Sequence, residues 1–577
     1  MSAALPPWAE EMRALFRSGS VSQFILHGNI FDVFPAPGGT ARRSLSLCEY
    51  LQEVMFGSYD VVLVYDRGQG VRALKGEEDW GEWLEKFAGD EGPGLAQMRE
   101  AGRALEVIDR YILRTLNLKA LAGQKSKVPS RIAVILGFAE FVVPRGDPLN
   151  LSGAFSANIV KILGWANDPA ILQHNIATVL LTEGLHDLNE LVVENPHAAK
   201  LHIPLPGETE VREYLDVLVE TRFPALPQKC EVPLETLAKR LTGLSLVGAR
   251  TVLATALNND KAITAAWLGE MKKQTLEREC QGLMEFIESK WTLDHVAGLD
   301  AAKAWLRDDT KLLRLGKLHA LPMGYLVCGR IGTGKTFLVS CWAGELGIPC
   351  VVFKNFRDRW VGATESNLEK IFGILRALGQ VVVFVDEADQ AAGKRESGSG
   401  DSGLSGRVYS MLAKEMSNTA NRGKILWVFA TSRPDLLEVD LKRQGRLDVH
   451  IPLFAPQTPE EMKALLDAIA RKLKFPLKHE DLPDLAEGLQ LGGNEIEGIL
   501  VRALRVWELS DAADRSLKTI LSEVFKEIRP SAHTRKLEYM DLVAVKECTD
   551  ARFLPPRFSN LPPEELEARI DALSKFV

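Results

Sequence analysis

Gly329-Arg330-Ile331-Gly332-Thr333-Gly334-Lys335-Thr336 is the stretch on which the reading of this chain turns. It follows the apolar run Tyr325-Leu326-Val327-Cys328 and precedes a helix-like segment, Phe337 to Leu346. Strand, glycine loop and helix in that order make a phosphate cradle of what would otherwise be a turn ending in Lys-Thr. The glycines let the backbone curl so that successive N–H groups point inward at phosphate oxygens. The helix that follows adds its positive N-terminal end. Gly329, Gly332, Thr333, Gly334 and Phe337 are the expected lining; Lys335 reaches the outer phosphates and Thr336 offers a hydroxyl to Mg²⁺.

Working outward, Val381-Val382-Val383-Phe384-Val385 reads as a strand buried on both faces. It ends in Asp386-Glu387, at the end of the sheet where open α/β folds bind ligands. Asp386 is expected in the Mg²⁺ shell, and Glu387 is expected to polarise an attacking water as general base. Apolar runs at 325–328, 349–353, 381–385, 425–430 and 449–453 predict five strands, and a helical segment follows from Pro459 to about Ile528. The run from Ile425 leads into Ala430-Thr431-Ser432-Arg433-Pro434-Asp435, then Asp440-Leu441-Lys442-Arg443-Gln444-Gly445-Arg446.

Phosphate loop, Asp-Glu strand, Ala-Thr-x-Arg-Pro-Asp and Arg-x-Gly-Arg in this order resemble the AAA family of P-loop ATPases over roughly residues 291–535. The resemblance implies ATP and Mg²⁺ as cofactors and hydrolysis as the reaction. It implies that Arg443 and Arg446 are paired fingers reaching a neighbour's nucleotide, and hence a homo-oligomeric, hexameric ring. Trp360-Val361-Gly362 resembles the aromatic pore loop of substrate-threading members, and the Gly/Ser-rich stretch Glu396 to Gly406 lies where a second pore loop or a plain mobile linker would be. His295-Val296-Ala297 resembles the adenine-contacting entry segment, and Gly493 and Asn494 resemble the lid segment against which the base lies. Three departures are present, and the one that bears on subunit coupling is that the usual Asp-Gly-Phe signalling segment is not recognisable around Met416 to Gly423. Ser432 stands where the family carries an asparagine sensor, and Arg330-Ile331 stands where Pro-Pro is common.

The N-terminal half repeats the plan without the chemistry. Strand-like runs at 23–27, 61–65, 131–136, 177–181 and 200–203 alternate with helical patterns, which implies a parallel α/β sheet. Arg131 to Leu136 ends in Gly137-Phe138 rather than Asp-Glu, and Asp66-Arg67-Gly68-Gln69-Gly70 follows a strand but supplies no Gly-Lys-Thr. The expected architecture is two tandem P-loop-type α/β modules, each followed by a helical lid, the first catalytically degenerate. An unrelated α/β recognition domain is the rival reading of that first half. The expected boundaries are 1–270 for the first module and its lid, 271–290 for a linker helix, 291–455 for the large ATPase subdomain, 456–535 for its lid, and 536–577 for an extended C-terminal arm ending in a short helix.

Composition narrows the function. Lys and Arg total 70 against 77 Asp and Glu, a net charge of −7, which argues against a dedicated nucleic-acid or anionic-membrane binder. Seven scattered cysteines with no C-x-x-C pair point to neither zinc nor a disulfide framework, and to a cytoplasmic, reducing setting. Met1 to Arg17 has no apolar signal core, and no His-Glu-x-x-His occurs. The leading expectation is a ring-forming motor that remodels, unfolds or disassembles a protein substrate through a central pore. The alternative is a nucleotide-gated assembly scaffold with slow hydrolysis.

Overall fold

The computed structural model describes residues 5–36, 43–88, 99–122, 129, 131–147, 150–259, 262–280, 282–353, 365–389, 402–475, 477, 482, 491–509, 516–527 and 533–576. They fall into two compact units, Met1–Arg278 with Ala363–Ala377, and Glu279–Gly362 with Leu378–Val577.

In the first unit the strands are β1 (Gln23–Gly28), β2 (Val33–Pro35), β3 (Ser44–Ser46), β4 (Val61–Asp66), β5 (Gly70–Lys75), β6 (Ile132–Leu136), β7 (Ile176–Thr182) and β8 (Ala198–Ile203). Six of them form one sheet, in the order β5-β4-β6-β7-β1-β8, and β2 pairs with β3 alone. All neighbours in the large sheet are parallel except β5, which pairs antiparallel with β4. Side chains alternate between faces along each strand. Phe24, Leu26, Val62, Val64, Ala133 and Val179 therefore pack on Trp8, Met12 and Tyr50. Ile25, Leu63, Tyr65, Val134 and Leu180 face the other way, onto Trp80, Trp83 and Tyr111. With apolar layers on both faces, the strands read as continuous apolar runs. A helical lid follows, built from Glu208–Thr221, Leu234–Leu241, Leu246–Asn258 and Ala265–Glu279.

The second unit adds β9 (Met284–Ile287), β10 (Gly324–Cys328), β11 (Cys350–Phe353), β12 (Val381–Val385), β13 (Ile425–Thr431) and β14 (Val449–Pro452). Their order is β14-β10-β13-β12-β11-β9, parallel except for β9 against β11. Taken in chain order within each unit, the parallel strands of both sheets run fifth, first, fourth, third, second, with one antiparallel strand beside the second. The fold is two tandem modules with helical lids. The second lid, Pro459–Lys472, Gly493–Leu509 and Leu517–Glu527, has its own core around Leu466, Ile499, Leu500 and Leu521.

Three expectations change, and the Asp66 to Gly70 segment, expected only to lack Gly-Lys-Thr, finds its structural role. Residues 271–290 are not one helix: helix ends at Glu279, Gly282 turns the chain at positive φ, and Met284–Ile287 becomes the antiparallel edge strand. Asp66 to Gly70 is the hairpin turn between β4 and β5, with Asp66 Oδ1 accepting from Gly68 and Gln69 N–H, and so is no counterpart of the phosphate loop. The C-terminal segment is not an extended arm. Thr534–Glu547 is a helix whose residues Tyr539 to Val545 are all buried, and the short helix Pro563–Ser574 packs beside it. Within the Gly/Ser-rich stretch, Ser402 already begins the helix Ser402–Met416; the rest lies outside the described residues.

Candidate functional site

The loop after β10 owes its shape to three glycines at positive φ, Gly329, Gly332 and Gly334. At Gly329 a Cβ would sit 2.1 Å from the Leu453 carbonyl oxygen, so no larger residue fits between β10 and β14. Gly334 leads into the helix Lys335–Leu346 and accepts from the Leu338 N–H at 2.8 Å. Lys335 Nζ donates to the carbonyls of Gly329 (2.8 Å) and Arg330 (3.0 Å), folded back over the loop. Burial pulls its ammonium below the ordinary lysine range. Thr333 Oγ1 donates to the Arg330 carbonyl at 2.9 Å.

Thr336 Oγ1 donates to Asp386 Oδ2 at 2.8 Å, bringing together the two groups expected to share a cation. Both are oxygen donors suited to a hard divalent ion. Asp386 Oδ1 accepts from the Glu387 N–H at 2.9 Å, and Glu387 is exposed at φ 47°. Next to them Thr431 Oγ1 donates to Asp389 Oδ1 (2.5 Å) and accepts from Arg433 N–H (2.9 Å), which fixes the turn carrying Ser432.

A cavity of about 600 Å³ opens from the phosphate loop. Val296, Ala297, Gly332, Thr333, Gly334, Phe337, Gly493 and Asn494 all line it, joined by His295. The lid enters through a glycine contact: Gly493 N–H donates to the Gly332 carbonyl at 2.6 Å, and a Cβ on Gly492 would stand 3.1 Å from that oxygen. The cavity also has walls that motif reading missed, namely Trp291, Phe454, Lys472 and the segment Arg552 to Pro556. Trp291 packs edge-on against His295 with centroids 4.8 Å apart. The pair Pro555-Pro556 was the one available signal for the last wall.

The two candidate fingers part company. Arg443 is exposed and pairs with Asp440 at 3.1 Å. Arg446 is buried, paired with the Asp440 carboxylate and donating to the Asp440 carbonyl at 2.7 Å. Trp360, Val361 and Gly362 lie outside the described residues. All seven cysteines are free, and among the described residues no helix is long and apolar enough to cross a membrane.

In the first unit the loop after β1 has another design. Gly28, at φ 100°, again abuts the last strand: a Cβ there would lie 2.6 Å from the Ile203 carbonyl oxygen. No helix follows. Instead Asp32, four residues on, accepts from the N–H groups of Leu246 (2.8 Å) and Val247 (2.9 Å) at the start of the lid helix Leu246–Asn258. Asn29 Nδ2 donates to the same carboxylate at 2.8 Å.

Residues 325–454 match the family model described as ATPase family associated with various cellular activities (AAA). Residues 2–204 match the AAA+ chaperone N-terminal Rossmann-like domain, and 210–281 the AAA+ chaperone second helical domain. Among curated proteins, the chain is 29% identical over 245 residues to an ATP-dependent zinc metalloprotease FtsH of Aster yellows witches'-broom phytoplasma, covering 40% of this chain and 36% of that protein. It is 26% identical over 316 residues to a Cell division cycle protein 48 homolog of Archaeoglobus fulgidus, covering 51% and 42%. It is 32% identical over 199 residues to the Peroxisomal ATPase pex6 of Schizosaccharomyces pombe, covering 33% and 21%. The matched stretch is under half the length of each of these relatives.

Proposed function

Since this chain belongs to the AAA family of ATPases, with an AAA+ chaperone-type N-terminal module, we propose that it is a ring-forming ATPase that remodels protein substrates with energy from one nucleotide site per subunit. The observation that carries this reading is the Thr336–Asp386 hydrogen bond beneath a glycine loop that the lid's Gly493 touches directly. Loop glycines, Thr333 and the lid's Gly493 and Asn494 line one cavity, and Lys335, Thr336 and Asp386 adjoin it through the same loop and helix start. The inward N–H groups of the loop and Lys335 orient the phosphates. Thr336 and Asp386 would hold Mg²⁺, which would supply charge neutralisation for phosphoryl transfer. Glu387 takes the proton of the attacking water, and Ser432 steadies the γ-phosphate end with a short hydroxyl. Val296, Ala297, Phe337 and Asn494 enclose the base side.

Arg443 is the finger, because it is exposed and its single carboxylate partner is itself half exposed. An arginine supplied by an adjoining copy is worth roughly 10³–10⁵ in rate. Such an arrangement repeats head to tail and closes as a ring, which we take to be a hexamer. The polypeptide substrate is gripped by Trp360-Val361-Gly362, where a broad aromatic face packs on any chain with little sequence demand. The net charge of −7 favours protein over nucleic acid or membrane as the partner, and a cytoplasmic setting suits seven free thiols.

The decisive measurement is ATP turnover by the purified chain across a range of protein concentrations. Turnover per subunit should rise steeply where copies associate; a flat, concentration-independent rate rejects fingers in trans. Ser432 also supports a second reading, a nucleotide-gated scaffold with slow hydrolysis. Trp360→Ala separates the two: a threading motor keeps its ATPase and loses substrate processing, whereas a scaffold keeps both.

A further inference from the structure

Arg330 sits inside the phosphate loop, yet its side chain turns away from the cavity and is only 4% exposed. Its Nη1 lies 3.8 Å from Oδ2 of Asp541, on the buried face of the helix Thr534–Glu547. Asp541 is 5% exposed, and its Oδ1 has no hydrogen-bond partner among the described residues. Two opposite charges have been taken out of water here, and removing either deprives the other of a buried counter-charge. The main chain of Arg330 has a second task. Its carbonyl accepts from both Lys335 Nζ and Thr333 Oγ1, so the set of this residue fixes two groups that face the phosphates.

The same helix reaches other parts of the nucleotide machinery. Tyr539 O–H donates to Asp435 Oδ2 at 3.2 Å, and the Arg433 guanidinium stacks 5.2 Å over the Tyr539 ring, just past Ser432. Glu547 pairs with Lys442, the residue before the exposed Arg443. Phosphate loop, sensor turn and finger turn thus share one backing element.

On the reading of this site as an ATPase, we propose that Asp541 is a positioning residue for the phosphate loop: through Arg330 it sets the carbonyl that holds Lys335, making the C-terminal helix part of the nucleotide site. ATP occupancy then reaches that helix directly. Burial pushes the Asp541 carboxyl up to about 6, against the pull of Arg330 and Arg557.

The test uses the full chain and a fluorescent ATP analogue, with unfolding midpoints measured alongside. Asp541→Asn should weaken ATP binding about 10–100-fold, the scale of losing alignment at a site. That variant also takes a buried counter-charge from the Arg330 guanidinium and costs stability, so the discriminating variant is the doubly apolar Arg330→Met/Asp541→Leu. Replacing a buried ion pair with apolar residues is often neutral for stability. A positioning role predicts that this double variant keeps the parent unfolding midpoint and still binds ATP at least about tenfold more weakly. Parent-like ATP affinity in the double variant overturns the proposal. In the parent chain, ATP should also slow hydrogen exchange in Thr534–Glu547, and Asp541→Asn should abolish that slowing. Exchange unchanged by ATP in a parent that binds ATP overturns it equally, whereas a parent that fails to bind ATP rejects the ATPase reading itself.

Discussion

Two strand ends in this molecule share a backbone and differ in everything chemical. Val385 is followed by Asp386-Glu387-Ala388, and Leu136 by Gly137-Phe138-Ala139. Glu387 has φ 47° and Phe138 φ 51°, two of the few non-glycine residues at positive φ among the described ones, and the alanine after each is fully buried. Holding a large side chain in that region costs of order 1 kcal/mol or more. At Glu387 the twist falls on an exposed acid whose N–H donates to Asp386 Oδ1. At Phe138 the same twist leaves a phenylalanine 45% exposed beside Phe31. The threonines that end the neighbouring strands differ in partner: Thr431 donates to Asp389, and Thr182 donates to the Gly184 carbonyl at 3.1 Å. The lesson is that the conformation is kept by the sheet and its packing, whereas catalysis rests on a few side chains that can be exchanged without disturbing either.

The comparison can be broken most sharply at Lys335. Lys335→Ala should abolish ATP binding by the entire chain, since the loop after β1 supplies neither a lysine nor a following helix. Residual nucleotide, measured by calorimetry, would mean that the first module binds it. Next in size, Arg443→Ala should cut turnover roughly 10³-fold or more while leaving stability unchanged. Arg446→Ala, in contrast, should lower the unfolding free energy by about 1.5–3 kcal/mol, as expected for a buried arginine whose hydrogen bonds to a carboxylate and a carbonyl are lost. Turnover assays and denaturant titrations on both variants would check the division of labour, and a loss of turnover in Arg446→Ala without loss of stability would reverse it. Smaller still, Asp32→Leu should cost about 1 kcal/mol, the usual worth of a helix N-cap, and leave ATPase activity intact. A drop in turnover would show that the first lid takes part in the cycle. Smallest of all, installing Gly137→Asp with Phe138→Glu should add no measurable nucleotide binding, because a strand end without a cradle has nothing to act on.

The sequence carried the parallel strands well, since double-faced burial writes itself as unbroken apolar runs such as Val381 to Val385. It carried the phosphate loop for a related reason: Gly329, Gly332 and Gly334 are demanded locally by positive φ. The edge strands β5 and β9 were harder to read. Each has one partner strand and partly exposed side chains, so neither shows a clear apolar run. The helix Thr534–Glu547 was missed because Tyr539 to Val545 is apolar with one acid, too uniform for helical periodicity, and prolines follow nearby. Asp32 and Asp541 could not be found at all. Each is a single acid whose partner lies more than two hundred positions away in the chain, and only the fold brings them together.

The carboxylate of Asp32 has a kinetic consequence. A phosphate that pins a lid leaves with its nucleotide, so a loaded lid opens and shuts as the ligand is exchanged. A carboxylate built into the polypeptide never departs, and its local concentration does not follow the cell's energy charge. The first lid is therefore tied to the end of β1 by the chain itself, whatever the supply of nucleotide.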